Sequence, residues 1–201
     1  MKIRILLLAC LIAVASAMYG QKIKQLSGNL PPLKGEKTLN LQYDYEGLHV
    51  GEMQEGDYIK KKVTEYNSKE AGKGDKWKEN WSNDRKTRYQ PKFEELFNKY
   101  LEEIGMVAKE GATDARYTVI IKTVMIEPGF NVGVMRRPAR IEVEMIIIET
   151  NKPEAKIAEY SVVNIPGSDV MGYDFDSGLR ISEAYAKLGK EFAKYIIKNI
   201  K

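Results

Sequence analysis

Three successive strand patterns between residues 115 and 165 constrain the fold more than any other feature of this sequence. Apolar and β-branched residues, alternating in part with polar ones, predict β-strands at 115–127, 139–150 and 155–165. A turn at Asn151-Lys152-Pro153 separates the last two strands, because Pro153 cannot donate a backbone hydrogen bond to a ladder. We therefore expect three antiparallel strands, running up, down and up, at the centre of the domain.

The middle strand is predicted to have one apolar face and one face that is charged at its start. Toward its end, Ile146 and Ile148 make the second face apolar as well. That end is therefore expected to be covered on both sides or to lie against another chain. The apolar face comprises Ile141, Val143, Met145 and Ile147, and the charged face comprises Arg140, Glu142 and Glu144.

A fourth strand and four helices are predicted outside this stretch. Strict alternation predicts a half-buried strand at 38–45, and helical spacing of apolar residues predicts helices at 55–68 and 177–199. The sequence thus predicts an α/β fold of the α+β sandwich type, with helices packed on a mostly antiparallel sheet of at least four strands. The expected element order is β-α-α-α-β-β-β-α.

Two further helices are expected between the first strand and the central three. Asp75 is the expected N-cap of a helix that carries Trp77 and Trp81 on one face, and Pro91 is expected to start or kink a helix that ends at Gly105. The two tryptophans are interpreted as the place where their helix docks onto its own sheet. An aromatic platform for a sugar or a peptide is the alternative.

The first 20 residues have the features of a signal peptide. Lys2 and Arg4 form a basic leader, residues 5–14 are apolar, and Ala15-Ser16-Ala17 fits a cleavage site, so cleavage is expected near Ala17 or Gly20. The protein is therefore expected to be periplasmic or secreted. A lipoprotein signal at Cys10 is the less favoured alternative, because the apolar run continues beyond that cysteine. Residues 21–37 are expected to form an extended lead-in, and residues 38–201 a single α/β domain.

Composition excludes several classes of function. Removal of the leader would lower the formal net charge from +4 to +2, too small an excess for a nucleic-acid-binding protein. No second apolar run predicts a membrane span after signal removal. His49 is the single histidine and Cys10 the single cysteine, so neither a metal site nor a cofactor is predicted.

Acidic residues before the last helix resemble a calcium loop only in part. Asp174 and Asp176 alternate, but Leu179 and Tyr185 occupy the positions at which an EF-hand requires glycine and glutamate. We interpret Asp176, or Ser177 beside it, as the N-cap of the last helix.

The connections 128–138 and 166–178 are the candidate functional site. In an up-down-up meander both leave from the same end of the sheet, and the first is longer than a hairpin requires. Arg136 or Arg137 is expected to pair with Asp174 or Asp176, and a contact surface for a partner is the alternative. The predicted partner-binding residues are Phe130, Val132, Met135, Arg136, Arg137, Tyr173, Asp174 and Phe175.

The layout resembles the small α/β domains of bacterial envelope helper proteins, such as the curli secretion channel component and the TolB amino-terminal domain. Residues 115–165, followed by a Gly-containing link and a last helix, are also similar to uncharacterised secreted bacterial families. The segments 127–138 and 171–178 are the most distinctive ones. The resemblance implies a non-enzymatic envelope role through contacts with another envelope protein.

A binding or accessory protein of the bacterial cell envelope is therefore the expected function. A hydrolase of envelope glycan or lipid, with Asp174 and Asp176 as acid and base, is one alternative. A binder of a small apolar ligand, held between sheet and helices, is the other.

Overall fold

The computed structural model describes residues 22–131, 135–167 and 176–200 of the 201-residue chain. The strands are β1 (Lys22–Gly28), β2 (Thr38–Asp44), β3 (His49–Val50), β4 (Met53–Gln54), β5 (Val107–Glu110), β6 (Tyr117–Glu127), β7 (Phe130–Asn131), β8 (Arg136–Arg137), β9 (Ala139–Glu149) and β10 (Lys152–Gly167). The helices are α1 (Glu55–Asn67), α2 (Lys73–Asp84), α3 (Gln90–Leu101) and α4 (Ser177–Asn199), and a π-helical turn, Arg85–Tyr89, joins α2 to α3.

One mixed sheet contains eight of the described strands. Its order is β1-β10-β9-β6-β2-β5, and the short β3–β4 pair joins it at the end of β6. The antiparallel meander of β6, β9 and β10 is confirmed, with Ile121 opposite Met145 and Met145 opposite Tyr160. β2 runs parallel to β6, and the helices between them supply the crossover that a parallel pair requires. The fold is therefore α+β, as predicted.

The predicted element order was incomplete at both edges of the sheet. Residues 22–28 are not an extended lead-in but an edge strand, β1, which pairs antiparallel with β10. β5 forms the opposite edge, parallel to β2. Six of the seven β1 residues are exposed and Ile23 is half-buried, so backbone pairing rather than an alternating apolar pattern defines this strand.

The core lies between one face of the sheet and helices α3 and α4. Tyr160, on the same face as Met145, packs edge-on against Phe192 of α4 at a centroid distance of 5.8 Å. Phe192 in turn stacks on Phe97 of α3 at 6.3 Å. On the opposite face Ile148 is buried, as predicted for that end of β9. The core face of β9 is buried along its length, at Ala139, Ile141, Val143, Met145 and Ile147.

The start of α2 differs from its prediction. The helix begins at Lys73, with Gly72 at the N-cap position, and Asp75 lies inside the first turn. Asn67, at the end of α1, accepts a hydrogen bond from the Gly74 amide and donates one to the Asp75 carboxylate. A side chain from the preceding helix therefore caps α2, which a search for a local N-cap residue does not find.

The other helix ends agree better with the predictions made from the sequence. Pro91 follows the π-helical turn and lies in the first turn of α3, where its missing N–H is tolerated. Gly105 adopts the left-handed conformation that ends this helical segment, as predicted. Helix α4 has the predicted bounds, and the Asp176 carboxylate accepts a hydrogen bond from the Gly178 amide, which confirms Asp176 as its N-cap.

Candidate functional site

The connections that follow β6 and β10 leave from the same end of the sheet, as predicted. Glu127, at the end of β6, is opposite Arg140, and Arg140 is opposite Pro166 near the end of β10. His49 reaches this end as well, because β3 pairs in parallel with β6 beside Met125. Its side chain is exposed and lies 2.7 Å from the Gln54 amide nitrogen.

A separate two-stranded hairpin, β7–β8, lies at this end of the sheet. Phe130 is opposite Arg137, and Asn131 is opposite Arg136. The side chains of Phe130 and Met135 are 42% and 62% exposed. Exposed apolar side chains of this size next to arginines are typical of protein contact surfaces.

Gly129 sets the close approach of the two hairpin strands. Its φ of +64° lies in the left-handed region, and a Cβ atom there would overlap the carbonyl oxygen of Arg137. The Glu127 carboxylate accepts a hydrogen bond from the Gly129 amide at 3.2 Å and lies 3.6 Å from an Arg137 guanidinium nitrogen. The base of the hairpin is thus held by both backbone geometry and charge.

Arg180, in the first turn of α4, connects the hairpin to the core. It is 6% exposed and donates hydrogen bonds to the carbonyl oxygens of Pro128 and Gly129. No sequence pattern singled out Arg180 as a candidate site residue. The available signal was its position four residues before Ala184 and eight before Leu188, on the apolar stripe of α4.

Half of the predicted partner-binding residues fall within the described part of the chain. Phe130, Met135, Arg136 and Arg137 lie together on or beside the hairpin. The other four, Val132, Tyr173, Asp174 and Phe175, lie outside the described residues.

The predicted pairing of Asp176 with Arg136 or Arg137 is wrong, and the predicted pairing with Asp174 falls on a residue outside the described part of the chain. Asp176 instead lies 2.6 Å from a guanidinium nitrogen of Arg88 in the π-helical turn, and Arg137 lies beside Glu127. The π-helical turn brings Arg88 to the start of α4, a tertiary contact that strand topology alone does not indicate. The ion pair between Asp176 and Arg88 connects the π-helical turn to the start of α4.

Two aspartates share Arg88 and differ in the direction of their pKa shifts. Burial raises the pKa of Asp84, although Arg88 lies 3.1 Å away and opposes this effect. Burial also acts to raise the pKa of Asp176, but hydrogen bonds from Arg88 and the Gly178 amide outweigh it and lower that pKa. Asp176 is therefore held ionised, consistent with its capping role.

An aromatic cluster between α1 and α2 lies next to this ion pair. Trp77 and Trp81 share one face of α2, as predicted, and stack with their ring centroids 5.5 Å apart. Both contact Tyr58 of α1, and Trp77 also contacts Tyr66. These ring contacts are made with α1, and Trp81 also belongs to the buried core that contains the sheet residues. Docking of the pair onto the sheet itself stays a prediction.

Trp81 is fixed by a buried polar network. Its indole nitrogen donates to the Glu55 carboxylate at 2.7 Å, and Arg85 donates to both oxygens of the same carboxylate. The Arg85 guanidinium also lies 4.2 Å from the centroid of the Tyr45 ring.

Within residues 22–131, 135–167 and 176–200, no three His, Cys, Asp or Glu side chains are grouped as metal ligands. Over the same residues, no helix combines the length and apolarity that crossing a bilayer requires.

Comparisons with known proteins give a limited likeness. A PelC dodecamer from Paraburkholderia phytofirmans matches with 13% identity and a TM-score of 0.39, over 85% of this chain and 98% of that chain. A variant of the same dodecamer matches with 12% identity and a TM-score of 0.37 over the same shares. No protein-family model matches the chain. No curated protein matches it either.

Proposed function

We propose that this protein is a non-enzymatic binding or accessory protein of a bacterial cell envelope, periplasmic or secreted. It contacts another envelope protein through the β7–β8 hairpin and the connection after β10. The observation that carries the proposal is the joint exposure of Phe130 and Met135 on one short hairpin. Large apolar side chains at the centre of an interface supply most of its binding free energy.

The hydrogen bonds from Arg180 to the base of the hairpin are consistent with a docking role. Arg180 holds the backbone at Pro128 and Gly129, so the hairpin does not have to be ordered when a partner binds. Exposed Arg136 and Arg137 on β8 add positive charge beside the apolar side chains. This arrangement favours a partner with an apolar depression bordered by acidic residues.

Site-specific crosslinking in the native host tests the proposal. A photoreactive amino acid at position 135 should give a covalent adduct with one envelope protein, and Phe130→Ser should abolish that adduct. Position 107 provides a matched control, because Val107 is also an exposed apolar residue, at 50%, but lies at the opposite end of the sheet. Equal adducts from positions 107 and 135, or none from 135, would exclude docking through the hairpin.

Cell fractionation tests the location separately. Recovery of the processed protein in an envelope or secreted fraction is expected, and recovery of the intact chain in the cytoplasm would contradict the envelope assignment.

An apolar groove supports a second candidate function, the binding of a small apolar ligand. The groove has a volume of about 370 Å³ and lies where the end of α4 meets the segment before β2. Native mass spectrometry of the purified protein should detect a bound lipid if this function is correct. Ile104, Met106, Ile197 and Ile200 supply its apolar lining.

A further inference from the structure

Two surface depressions meet at Trp77 and form one groove. The first has a volume of about 240 Å³ and lies between α2, the π-helical turn and the start of α4. The second has a volume of about 340 Å³ and lies toward α1. Trp77 and Asn80 line both, so we call the combined depression the Trp77 groove. Besides these two, it is lined by Asp84, Arg88 and Asp176 on one side and by Tyr66 and Lys76 on the other.

The aromatic floor of the groove is rigid. Trp77 is half-buried and contacts Trp81, Tyr58 and Tyr66, with ring centroids 5.5 to 5.9 Å apart. Trp81 is itself held by its hydrogen bond to Glu55. A ligand that stacks on Trp77 would therefore not have to order the ring, which reduces the entropic cost of binding.

Hydrogen-bond donors and acceptors surround this aromatic floor. Arg88 lies within 3.1 Å of Asp84 and of Asp176, so a guanidinium group and two carboxylates are held at one end of the groove. Among the described residues, the exposed Asn80 amide and the Lys76 ammonium form no hydrogen bond or ion pair through their side chains. The Asn80 amide and the Lys76 ammonium therefore remain available to a ligand as donors, and the Asn80 amide also as an acceptor.

We infer that the Trp77 groove binds a saccharide chain. A sugar ring has one apolar C–H face, which packs on an aromatic ring, and hydroxyl groups around its edge, which both donate and accept hydrogen bonds. The groove offers the matching arrangement, an aromatic floor surrounded by amide, carboxylate and guanidinium groups. Trp77 and Asn80 line both depressions, so a ligand that fills the whole groove extends beyond a single ring.

A peptide fits this groove less well. Peptides are usually recognised by backbone pairing at a sheet edge or by a helix in an apolar groove. The Trp77 groove lies on α2 and at the start of α4, away from the edge strands β1 and β5, and its first depression is predominantly polar. The inference does not depend on the proposed function, because none of the lining residues belongs to the hairpin.

Titration of the purified protein with three tetrasaccharides tests the inference. The probes are cellotetraose, chitotetraose and tetragalacturonate, which carry neutral, acetamido and carboxylate groups on similar chains. Trp77 and Trp81 are the chain's two tryptophans and both lie at the groove, so saturable quenching of tryptophan fluorescence would report binding. Isothermal titration calorimetry measures the affinity independently.

Substitutions at the Trp77 groove test whether the tetrasaccharide binds there. Trp77→Ala and Asn80→Ala should each lower the affinity for the bound tetrasaccharide at least ten-fold, and the exposed Asn83→Ala, on the same helix but outside the groove, should not change it. If Trp77→Ala does not fold, the affinity of Asn80→Ala tests the inference. This variant is expected to fold, because Asn80 is exposed and makes no side-chain hydrogen bond with a described residue. Binding of none of the three probes, or an affinity unchanged by Asn80→Ala, would overturn the inference.

Discussion

The Arg180 guanidinium donates two hydrogen bonds to the carbonyl oxygen of Pro128, with N–O distances of 3.2 and 3.0 Å. This contact connects the first turn of α4 to the base of the β7–β8 hairpin. Because Arg180 is only 6% exposed, protein groups rather than water must compensate its charge. The position of the hairpin and the stability of the fold therefore depend on the same side chain.

Replacement of Arg180 by methionine should destabilise the protein by about 2–4 kcal/mol, because two buried carbonyl groups lose a charged donor. Urea denaturation measures the change in the free energy of unfolding. Arg116→Met is the matched control, since Arg116 is 64% exposed and its ion pair with Glu36 spans 3.5 Å. Equal effects of the two substitutions would show that the Arg180 contact does not stabilise the fold.

Gly189 should tolerate no side chain. A Cβ atom at this position would overlap the carbonyl oxygen of Phe93, where α4 packs closely against α3. Gly189→Ala should therefore cost about 1–3 kcal/mol through overpacking, measured as a lower denaturation midpoint. Gly56→Ala in α1 is the control, because its added methyl group contacts nothing, and it should raise stability by up to about 1 kcal/mol. Loss of stability in the control as well would point to helix backbone effects instead of packing.

The buried hydrogen bond between Thr123 and Tyr185 should couple the sheet to α4. Their side-chain oxygens lie 2.5 Å apart, and both residues are fully buried. Thr123→Val leaves the Tyr185 hydroxyl without this partner and should cost about 1–3 kcal/mol. Tyr185→Phe in the same chain should recover part of that loss, which a double-mutant cycle measures as a coupling free energy. Strictly additive effects would contradict the coupling.

The ion pair of Asp176 with Arg88 should make stability depend on pH. The pKa of Asp176 is lowered in the folded protein, so its contribution is present above the unfolded aspartate pKa of about 3.9 and is lost as the pH falls through the lower folded pKa. Asp176→Asn keeps a capping side chain but removes the charge. It should be less stable than the native protein at pH 7, by under about 1 kcal/mol because Asp176 is 44% exposed.

Thermal unfolding at several pH values tests this dependence. The difference between the native protein and Asp176→Asn should shrink below about pH 4 and vanish at lower pH. A difference that is constant from pH 7 to pH 3 would mean that the charge of Asp176 does not contribute. Asp176→Ala, which removes both the charge and the cap, should still lose about 1 kcal/mol at low pH, where only the cap contributes, and should lose more than that at pH 7.

Several parts of the candidate site were visible in the sequence and others were not. Phe130 and Met135 could be identified because apolar residues on a long connection are uncommon. Arg88 could not, because it follows Asp84 by four residues and looks like half of an ordinary helical ion pair. Its second partner, Asp176, is 88 residues away, and only the packing of α4 against the π-helical turn brings the two together.

The sequence by itself determined the meander, the helix bounds of α4 and the Asp176 cap. These features arise from periodicity and local hydrogen bonding, which neighbouring residues specify. Tertiary structure alone decided the edge strand β1, the capping of α2 by Asn67, the anchoring of the hairpin by Arg180 and the pairing of Asp176 with Arg88. Each of these is a contact between segments distant in sequence or separated by a turn. Such contacts depend on how elements pack, and a local pattern does not encode that packing.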